Sequence, residues 1–298
     1  MKVGIIMGGI SSEKEVSLKS GEEVLKHINK TKYEAIPIVL HSKKEAIDKL
    51  SGIDFAFLAL HGRFGEDGTI QALLETLDIP YSGCRVLTSA LCMNKHLTKK
   101  LLASENITTP KGILIKASEP LNSSITSTLN YPLIVKPNTG GSSIGTCKVE
   151  NKTDLLSAID EAFKYDEELL IEEYIAGEEI TSFVLDGEVF PTVCIKPRFG
   201  QFFDYNSKYT INGALEEIAL LPSILQDKVT QIAEKIWALF NCKSYCRIDF
   251  IIKNETIYVL EINTLPGLTE TSLIPQSAKA KGIDFTTLID AIIRTSMI

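Results

Sequence analysis

The chain is short of positive charge and has no long apolar run. Its 298 residues include 31 lysines and arginines against 38 aspartates and glutamates, which gives a formal net charge of −7. Nucleic acids and anionic membranes bind proteins through a basic face, and a membrane-spanning helix needs about 20 consecutive apolar residues. We therefore expect no nucleic-acid partner, no membrane association and a cytoplasmic location.

Cysteine is also scarce. The six cysteines are scattered over positions 84, 92, 147, 194, 242 and 246, a distribution that favours reduced thiols in the core over a disulfide framework. Cys242 and Cys246 could form half of a zinc site. No second Cys or His pair has the usual spacing, so we favour a structural role for both thiols.

What is present is the composition of a soluble globular enzyme, with 44% hydrophobic and 23% charged residues. The length exceeds that of an ordinary single core and predicts two or three lobes, which we place at residues 1–90, 91–179 and 180–298. The first lobe begins with an apolar run at 3–7 that lacks the cleavage-site pattern of a signal peptide, so it reads as a strand. Strands and helices then alternate, which predicts a doubly wound parallel sheet.

A capping box predicts where the first helix starts. Ser12 is followed three residues later by Glu15, so the helix is expected to begin at Ser12, and its inward stripe is expected to be Val16, Val24 and Ile28. Loops 8–13 and 61–68 each follow a predicted strand. Because open parallel sheets bind ligands at the carboxyl ends of their strands, both loops are candidates for a ligand site on one edge.

The rest of the chain predicts shorter elements of mixed type. Its patterns indicate one helix at about 91–103, one strand at 189–194 and one helix at about 223–240.

Two strand-like segments near the end of the sequence carry polar side chains at alternating positions. Because successive side chains of a strand point to opposite faces, Arg247 and Asp249 share one face of the first strand. Glu261 and Asn263 share one face of the second. A tight turn at 254–256 would set Asp249 opposite Glu261, and two facing carboxylates repel each other unless a cation lies between them.

Magnesium is the cation that best suits this pair of strands. It takes oxygen ligands and usually keeps positions for water or substrate phosphates. With Arg247 beside it, the group is typical of phosphoryl transfer, which depends on positioning and charge neutralisation. The alternative is a surface hairpin with a solvated polar face. Four polar residues together, opposite an apolar face, favour the metal site; that face consists of Ile248, Phe250 and Ile252.

A glycine-rich segment at 136–145 follows another predicted strand. Its backbone N–H groups and two hydroxyls are suited to cradling phosphate, although it lacks the Gly-Lys-Ser/Thr ending of a Walker A loop. A Gly/Ser run alone is more often an ordinary turn. Lys136 at the strand end, and a following strand at 169–174 that could border a nucleotide base, favour a nucleotide site.

Taken together, these segments resemble the ATP-grasp ligases and, within them, the D-alanine–D-alanine ligases. The resemblance covers essentially the whole chain and is carried by segments 8–18, 61–68, 136–145, 208–209, 247–249 and 260–267. It implies a three-lobed ATP-grasp architecture of mixed α/β and α+β class. The first lobe would bind substrate, the second would be the central ATP-grasp lobe, and the third would carry the metal site and a lid.

The resemblance also implies a reaction. ATP would phosphorylate the carboxylate of one D-alanine, and the acyl phosphate would react with the amine of a second, giving D-alanyl-D-alanine, ADP and phosphate for peptidoglycan synthesis. Two alternatives stay open. One is another ATP-grasp ligase, such as a D-alanine–D-lactate enzyme, and the other is a nucleotide-binding sensor without catalysis.

Metal and nucleotide ligands follow from the same resemblance. It implies two magnesium ions, replaceable by manganese, held by Asp249, Glu261 and Asn263. It implies nucleotide contacts from Lys95, Lys136, Ser143, Glu172 and Glu179. Without the resemblance, Lys95 could equally solvate a helix face together with Lys99 and Lys100, and Glu173 and Glu178 compete for the two glutamate roles.

The resemblance assigns the substrates to further residues. Glu13 would meet the ammonium group of the first D-alanine, in a network with Ser142 and Tyr209, although a carboxylate there could simply favour the helix start. His61 could assist, or could be an ordinary polar loop residue.

The remaining implied roles concern the second substrate and its approach. Arg247 and the Gly267 N–H would stabilise the tetrahedral oxyanion. The carboxylate of the second D-alanine would be received by Lys208, Ser272 and Leu273. Segment 196–212 would be a lid that excludes water, and a homodimer is expected.

Overall fold

The protein is described here by a computed structural model that covers residues 1–119, 128–197 and 214–297. Lys208, Tyr209 and nearly all of the expected lid lie outside these described residues.

The first sheet has three parallel strands in the order β2-β1-β3, namely β1 (Lys2–Gly8), β2 (Glu34–Leu40) and β3 (Phe55–Leu58). The helices of this region are α1 (Lys14–His27), α2 (Glu45–Lys49), α3 (Thr69–Thr76), α4 (Val86–Met93) and α5 (Lys95–Ser104). The predicted doubly wound parallel sheet is confirmed. The loops after β1 and β3 meet, because Ser11 Oγ donates to the His61 carbonyl oxygen at 2.7 Å.

The predicted start of α1 is wrong. Its N-cap residue is Glu13, no side chain caps the helix, and Ser12 is exposed. The expected inward stripe is also only partly right, because Val16 is half-buried whereas Val24 and Ile28 are buried.

Small residues occupy the buried face of α1 instead. Ser17 Oγ accepts from Gly8 N and donates to the Ala59 carbonyl, both at 2.8 Å. A Cβ on Gly21 would lie 2.6 Å from Met7 Sδ, so only glycine lets the helix approach β1 this closely. The helix is therefore positioned by contacts with the ends of the strands, and a capping box is not needed.

Two antiparallel sheets follow the parallel one. The four-stranded sheet has the order β4-β7-β5-β6, with β4 (Gly112–Lys116), β5 (Leu133–Pro137), β6 (Cys147–Val149) and β7 (Glu168–Glu173), and is covered by α6 (Lys152–Ala162). The six-stranded sheet has the order β11-β10-β8-β12-β13, with β9 on β8. Its strands are β8 (Glu178–Leu185), β9 (Glu188–Val189), β10 (Val193–Pro197), β11 (Ala214–Ile218), β12 (Tyr245–Lys253) and β13 (Thr256–Asn263).

Two predicted elements are each divided in the structure. The helix at 91–103 is two helices, because Asn94 is extended and its side chain accepts from Leu97 N at 3.0 Å as an N-cap. The strand at 189–194 is two strands, β9 and β10. Pro191 lies between them and has no N–H to continue a ladder.

The last helices are α7 (Ser223–Leu239), α8 (Leu273–Ala280) and α9 (Phe285–Ser296), of which only α7 was expected. The apolar side of α9 is fully buried and shares one core with the first sheet; it consists of Leu288, Ile289, Ile292 and Ile293. The end of the chain thus packs on its beginning. The boundaries at 90 and 179 stay predictions.

Five of the six cysteines are buried as expected, but Cys147 is exposed, and none forms a disulfide. Burial raises the pKa of Cys92, so this thiol stays protonated.

Candidate active site

The hairpin of β12 and β13 has the predicted pairing at its polar end, where Asp249 pairs with Glu261 and Arg247 pairs with Asn263. The turn is shorter than predicted, because Thr256 already pairs with Lys253, and a register shift between Asp249 and Phe250 restores the pairing of Asp249 with Glu261. Asn254 in the turn has positive φ (49°). The opposite face of β12 is buried, as predicted, with Phe250 fully enclosed. Alternation along two short strands therefore brings four polar side chains onto one surface.

Asp249 is the centre of this surface. Its carboxylate accepts two bonds from Arg247, from Nε at 2.9 Å and from the guanidinium NH2 at 2.8 Å. Thr181 Oγ1 donates to it at 2.6 Å and Asn263 Nδ2 donates at 3.0 Å. Burial works against the charge on Arg247, but the attraction of Asp249 prevails and raises the pKa of Arg247. The arginine therefore carries a permanent, fixed charge.

Glu261 stands apart from that network and meets Lys95 instead. Lys95 Nζ lies 3.8 Å from Glu261 Oε2 and donates to the Gly140 carbonyl at 2.6 Å. Burial lowers the pKa of Lys95, and Glu261 opposes that shift. Lys95 and Lys99 are 9% and 8% exposed, so the interpretation of both as solvating a helix face is wrong. Lys95 links the hairpin to the glycine-rich segment.

The donor set on this surface fits magnesium. Two carboxylates face each other in register, and a carboxamide lies beside one of them at 3.0 Å. All three offer hard oxygen ligands, and Glu261 has no closer cation than Lys95 among the described residues.

A cavity of about 250 Å³ adjoins Asp249 and Glu261 and lies between the two antiparallel sheets. Its apolar wall suits a flat aromatic base and consists of Ile134, Ile144, Ile175, Ile195, Ile251 and Leu260. Much of the remaining lining is polar or charged. It includes the expected nucleotide ligands Lys95, Lys136, Ser143, Glu172 and Glu179, together with the competing Glu173 and Glu178.

Glu172 is held differently from its competitors. It is 2% exposed and forms ion pairs with two lysines, Lys136 and Lys99, with 2.7 Å between Lys99 Nζ and Glu172 Oε2. Burial would raise the pKa of Glu172, but the two lysines together lower it. Burial in turn lowers the pKa of Lys99 to about 8. Lys99 was not among the predicted residues of this site, because a lysine on a helix has no pattern that reveals its burial.

The glycine-rich segment connects the cavity to α1. Ser142 and Ser143 both have positive φ, at 53° and 56°, a conformation that costs non-glycine residues energy and turns successive N–H groups to one side. Ser142 Oγ donates to Glu13 Oε1. A Cβ on Gly141 would lie 3.0 Å from both Glu13 carboxylate oxygens. The structure thus brings Glu13 and Ser142 together, although 129 positions separate them.

His61 is a buried connector rather than a polar loop residue. It is 6% exposed; Nδ1 donates to the Leu265 carbonyl at 3.0 Å, and Nε2 lies 3.2 Å from Ser20 Oγ. Burial lowers the pKa of His61 from its usual 6.5 to about 4. The imidazole is therefore neutral, and it ties the loop after β3 to segment 264–272.

Segment 264–272 carries two more expected site residues. A Cβ on Gly267 would lie 3.4 Å from Ser272 Oγ, so the two are neighbours. Ser272 is the N-cap residue of α8, which starts at Leu273, and Ser272 Oγ accepts from Thr269 N at 3.1 Å.

Family comparisons cover nearly all of this architecture. Residues 2–47 and 41–84 match the family described as the D-ala D-ala ligase N-terminus, and residues 105–294 match the D-ala D-ala ligase C-terminus. The chain belongs to the D-alanine–D-alanine ligase family. The predicted ATP-grasp fold is confirmed by solved structures of this family.

Individual members of the family are similar over their whole length. D-alanine–D-alanine ligase B of Clostridium perfringens is 51% identical, with 100% of this chain and 98% of the relative covered. The ATP-complexed D-alanine–D-alanine ligase of Bacillus anthracis is 43% identical with a TM-score of 0.91, covering 100% of this chain and 97% of the other. The VanG D-Ala:D-Ser ligase of Enterococcus faecalis is 32% identical with a TM-score of 0.85, covering 99% of each.

This ligase contains a half-buried acid near Glu13 that was not among the predicted site residues. Glu66 Oε2 accepts from Gly62 N at 2.7 Å, and burial, reinforced by the charge of Glu13, raises the pKa of Glu66 to about 8. Glu66 lies in the candidate loop 61–68, where the sequence pattern gives no reason to prefer it to the neighbouring Asp67 as a site residue.

None of the helices in the described part of the chain has the length and apolar character needed to span a bilayer.

The free energy of unfolding should depend on pH in a way that reflects the burial of His61. The pKa of His61 is lower in the folded protein than in the unfolded chain, so its contribution to stability is complete above pH 6.5 and is lost as pH falls toward 4. Between pH 7.5 and 5, the loss should be about 2 kcal/mol in the free energy of unfolding. Urea denaturation of wild type and His61→Gln at both pH values measures it.

The difference between the two proteins is the informative quantity. Glu66 has a raised pKa and contributes the opposite slope, but it is present in both. An equal change with pH in wild type and His61→Gln would contradict the buried, neutral imidazole.

Proposed function

We propose that this ligase joins two D-alanine molecules at the expense of ATP. A carboxylate oxygen of the first D-alanine attacks the γ-phosphorus of ATP, and the bond to ADP breaks. The amine of the second D-alanine then attacks the acyl carbon, phosphate leaves, and D-alanyl-D-alanine is formed. The observation that carries this proposal is the Arg247–Asp249 pair, which stands beside both Glu261 and the cavity.

The cavity would hold the nucleotide. Its apolar wall would receive the adenine, with Glu172 and Glu179 on the adenine and ribose sides and Ser143 at the phosphates. Lys95 and Lys136 would contact the phosphates and the base. Both ammonium groups are held by internal contacts, and fixed cations need little rearrangement when a phosphate arrives.

Asp249, Glu261 and Asn263 would hold two magnesium ions, for which manganese could substitute. When bound, these ions would neutralise the phosphate oxygens of ATP and help align the γ-phosphate. Arg247 keeps Asp249 oriented through two hydrogen bonds, so this ligand is positioned before the substrates bind.

The first D-alanine would lie where the three lobes meet. Its ammonium group would face Glu13, whose carboxylate is held by Ser142, with Tyr209 completing the network. His61 would position this end of the site by linking the loop after β3 to segment 264–272.

Arg247 and the Gly267 N–H would stabilise the oxyanion that forms when the amine attacks. Ser272 and Leu273 at the start of α8, together with Lys208, would receive the carboxylate of the second D-alanine. Segment 196–212 would close over the acyl phosphate, because water would otherwise hydrolyse it before the amine reacts.

The setting of the reaction follows from the same family membership. We place the protein in the cytoplasm as a homodimer whose product enters peptidoglycan. The absence of any disulfide among its six cysteines is compatible with a reducing compartment.

The decisive assay is phosphate release from ATP that requires D-alanine, followed by the mass of the product. We expect D-alanyl-D-alanine. Turnover with L-alanine but not D-alanine would overturn the substrate assignment. D-Lactate or D-serine is supplied as a competing acceptor in the same assay, and a preference for either would replace the dipeptide assignment. Nucleotide binding without turnover would identify a sensor.

A further inference from the structure

A second group of metal-ligating side chains lies outside the active site, on the outer part of α1. Glu23 and His27 are one helical turn apart, and Glu270 reaches the same place from segment 264–272. One ligand atom from each residue lies within 4.8 Å of the other two. Among the described residues, this is the only such group of three histidine, cysteine or carboxylate side chains.

The contacts within the group leave polar atoms unsatisfied. Glu23 Oε2 and His27 Nε2 are both shielded from solvent and have no hydrogen-bond partner. They face each other at 3.6 Å, which is too long for a hydrogen bond. Two ligand atoms bound to one tetrahedral zinc ion would be about 3.3 Å apart, so a small cation fits between these atoms with little adjustment.

The positions of the side chains are set by their neighbours. The His27 ring packs edge-on against Phe285, with ring centroids 5.2 Å apart, and the His27 carbonyl accepts from Thr286 Oγ1 at 2.9 Å. Among the described residues, the one ammonium group paired with Glu23 is Lys26 Nζ, which is 3.7 Å from Glu23 Oε1 and has a largely exposed side chain. Solvent screening makes this counter-charge weak.

We propose that Glu23, His27 and Glu270 form a binding site for a first-row transition-metal dication such as zinc. An imidazole with two carboxylates selects such ions over magnesium, and the exposed side of Glu270 leaves room for water as a further ligand. The site differs in chemistry from the oxygen-only surface of Asp249, Glu261 and Asn263. It does not depend on the proposed reaction.

A bound ion would join two parts of the protein. Segment 264–272 is attached to α1 by the bond from Leu268 N to Ser20 Oγ at 3.4 Å. The metal would add a second attachment through Glu270, which lies two positions before Ser272. Gly267 and Ser272 would then be held more firmly relative to α1.

Imidazole signals in long-range proton–nitrogen NMR spectra test the site directly. The chain has four histidines, and His27→Gln identifies the signal of His27. In untagged, nucleotide-free protein, one equivalent of zinc chloride should shift the His27 signal and leave those of His41, His61 and His96 in place. A tenfold excess of magnesium chloride should not reverse the shift.

Ligand variants make the test specific. Glu23→Gln and Glu270→Gln retain His27 but should weaken zinc binding at least about tenfold, since each removes a direct ligand. His41→Ala, which changes an exposed histidine outside the group, should bind zinc as wild type does. An unmoved His27 signal, or an unchanged zinc affinity in both glutamate variants, would overturn the proposal.

Discussion

Replacing Arg247 with alanine is expected to lower kcat by about 10²–10³-fold or more, the loss typical of removing one oxyanion donor. The reason is that this guanidinium is fixed in place. Its two hydrogen bonds to Asp249 orient it, and its side chain is only 16% exposed, so little water is available to replace the lost charge.

Nucleotide binding should be affected much less by the same change. Asp249 keeps its contacts with Thr181 and Asn263, and bound magnesium would compensate its charge. The measurement combines steady-state phosphate release with titration of an ATP analogue in the presence of magnesium. A loss of nucleotide affinity as large as the loss in kcat would show that Arg247 serves the metal site and not the oxyanion.

Arg85→Ala provides the matched control for this experiment. Arg85 also has ordered contacts, with the Tyr81 ring and the Ser296 carbonyl, but neither of these residues belongs to the proposed site. We expect its kcat to stay within about twofold of wild type, as for a substitution away from the chemistry.

Glu261→Gln is expected to lower kcat/KM for ATP by at least about 10²-fold and to shift the magnesium dependence to higher concentrations. The substitution keeps the shape of the side chain and removes its charge, and loss of charge weakens a hard-cation site strongly. Glu261 is the best position for this test. Among the described residues its one charged partner is Lys95 at 3.8 Å, so few other contacts are disturbed, whereas Asp249 accepts hydrogen bonds from three side chains.

Activity as a function of magnesium concentration, together with manganese binding followed by its paramagnetic effect on water relaxation, measures the result. Glu255→Gln is the control, because Glu255 lies in the turn of the same hairpin and is exposed. If Glu261→Gln retained wild-type magnesium dependence, Glu261 would not be a metal ligand, and the oxygen donor set would have to be sought elsewhere.

The active-site hairpin was predictable because strand geometry is local. A period of two places Arg247 and Asp249 on one face whatever the rest of the protein does. The pairing of Asp249 with Glu261 also depends on the register shift between Asp249 and Phe250, which the turn did not predict. The parallel sheet of the first lobe was predictable for a related reason. Its strand–helix alternation and buried apolar runs have few arrangements other than a doubly wound one.

The errors arose where a local rule competed with a tertiary contact. The capping box at Ser12 was a sound local signal, but Ser17 bonds to the backbone at the ends of β1 and β3 and fixes α1 in another position. The helix expected at 91–103 has a strong N-cap residue, Asn94, in its interior.

Periodicity and motif spacing were sufficient for the strands, most helices, the shared polar face of β12 and β13 and the resemblance that indicated the family. They could not show that Lys99 is buried, that the pKa of Glu66 is raised, that Glu13 meets Ser142 across 129 positions, or that Glu270 reaches α1. Local patterns depend on the directions of neighbouring side chains, which the backbone sets within a few residues. Burial, charge pairing and shifted pKa values depend on which distant segments share a surface, and only the folded chain decides that.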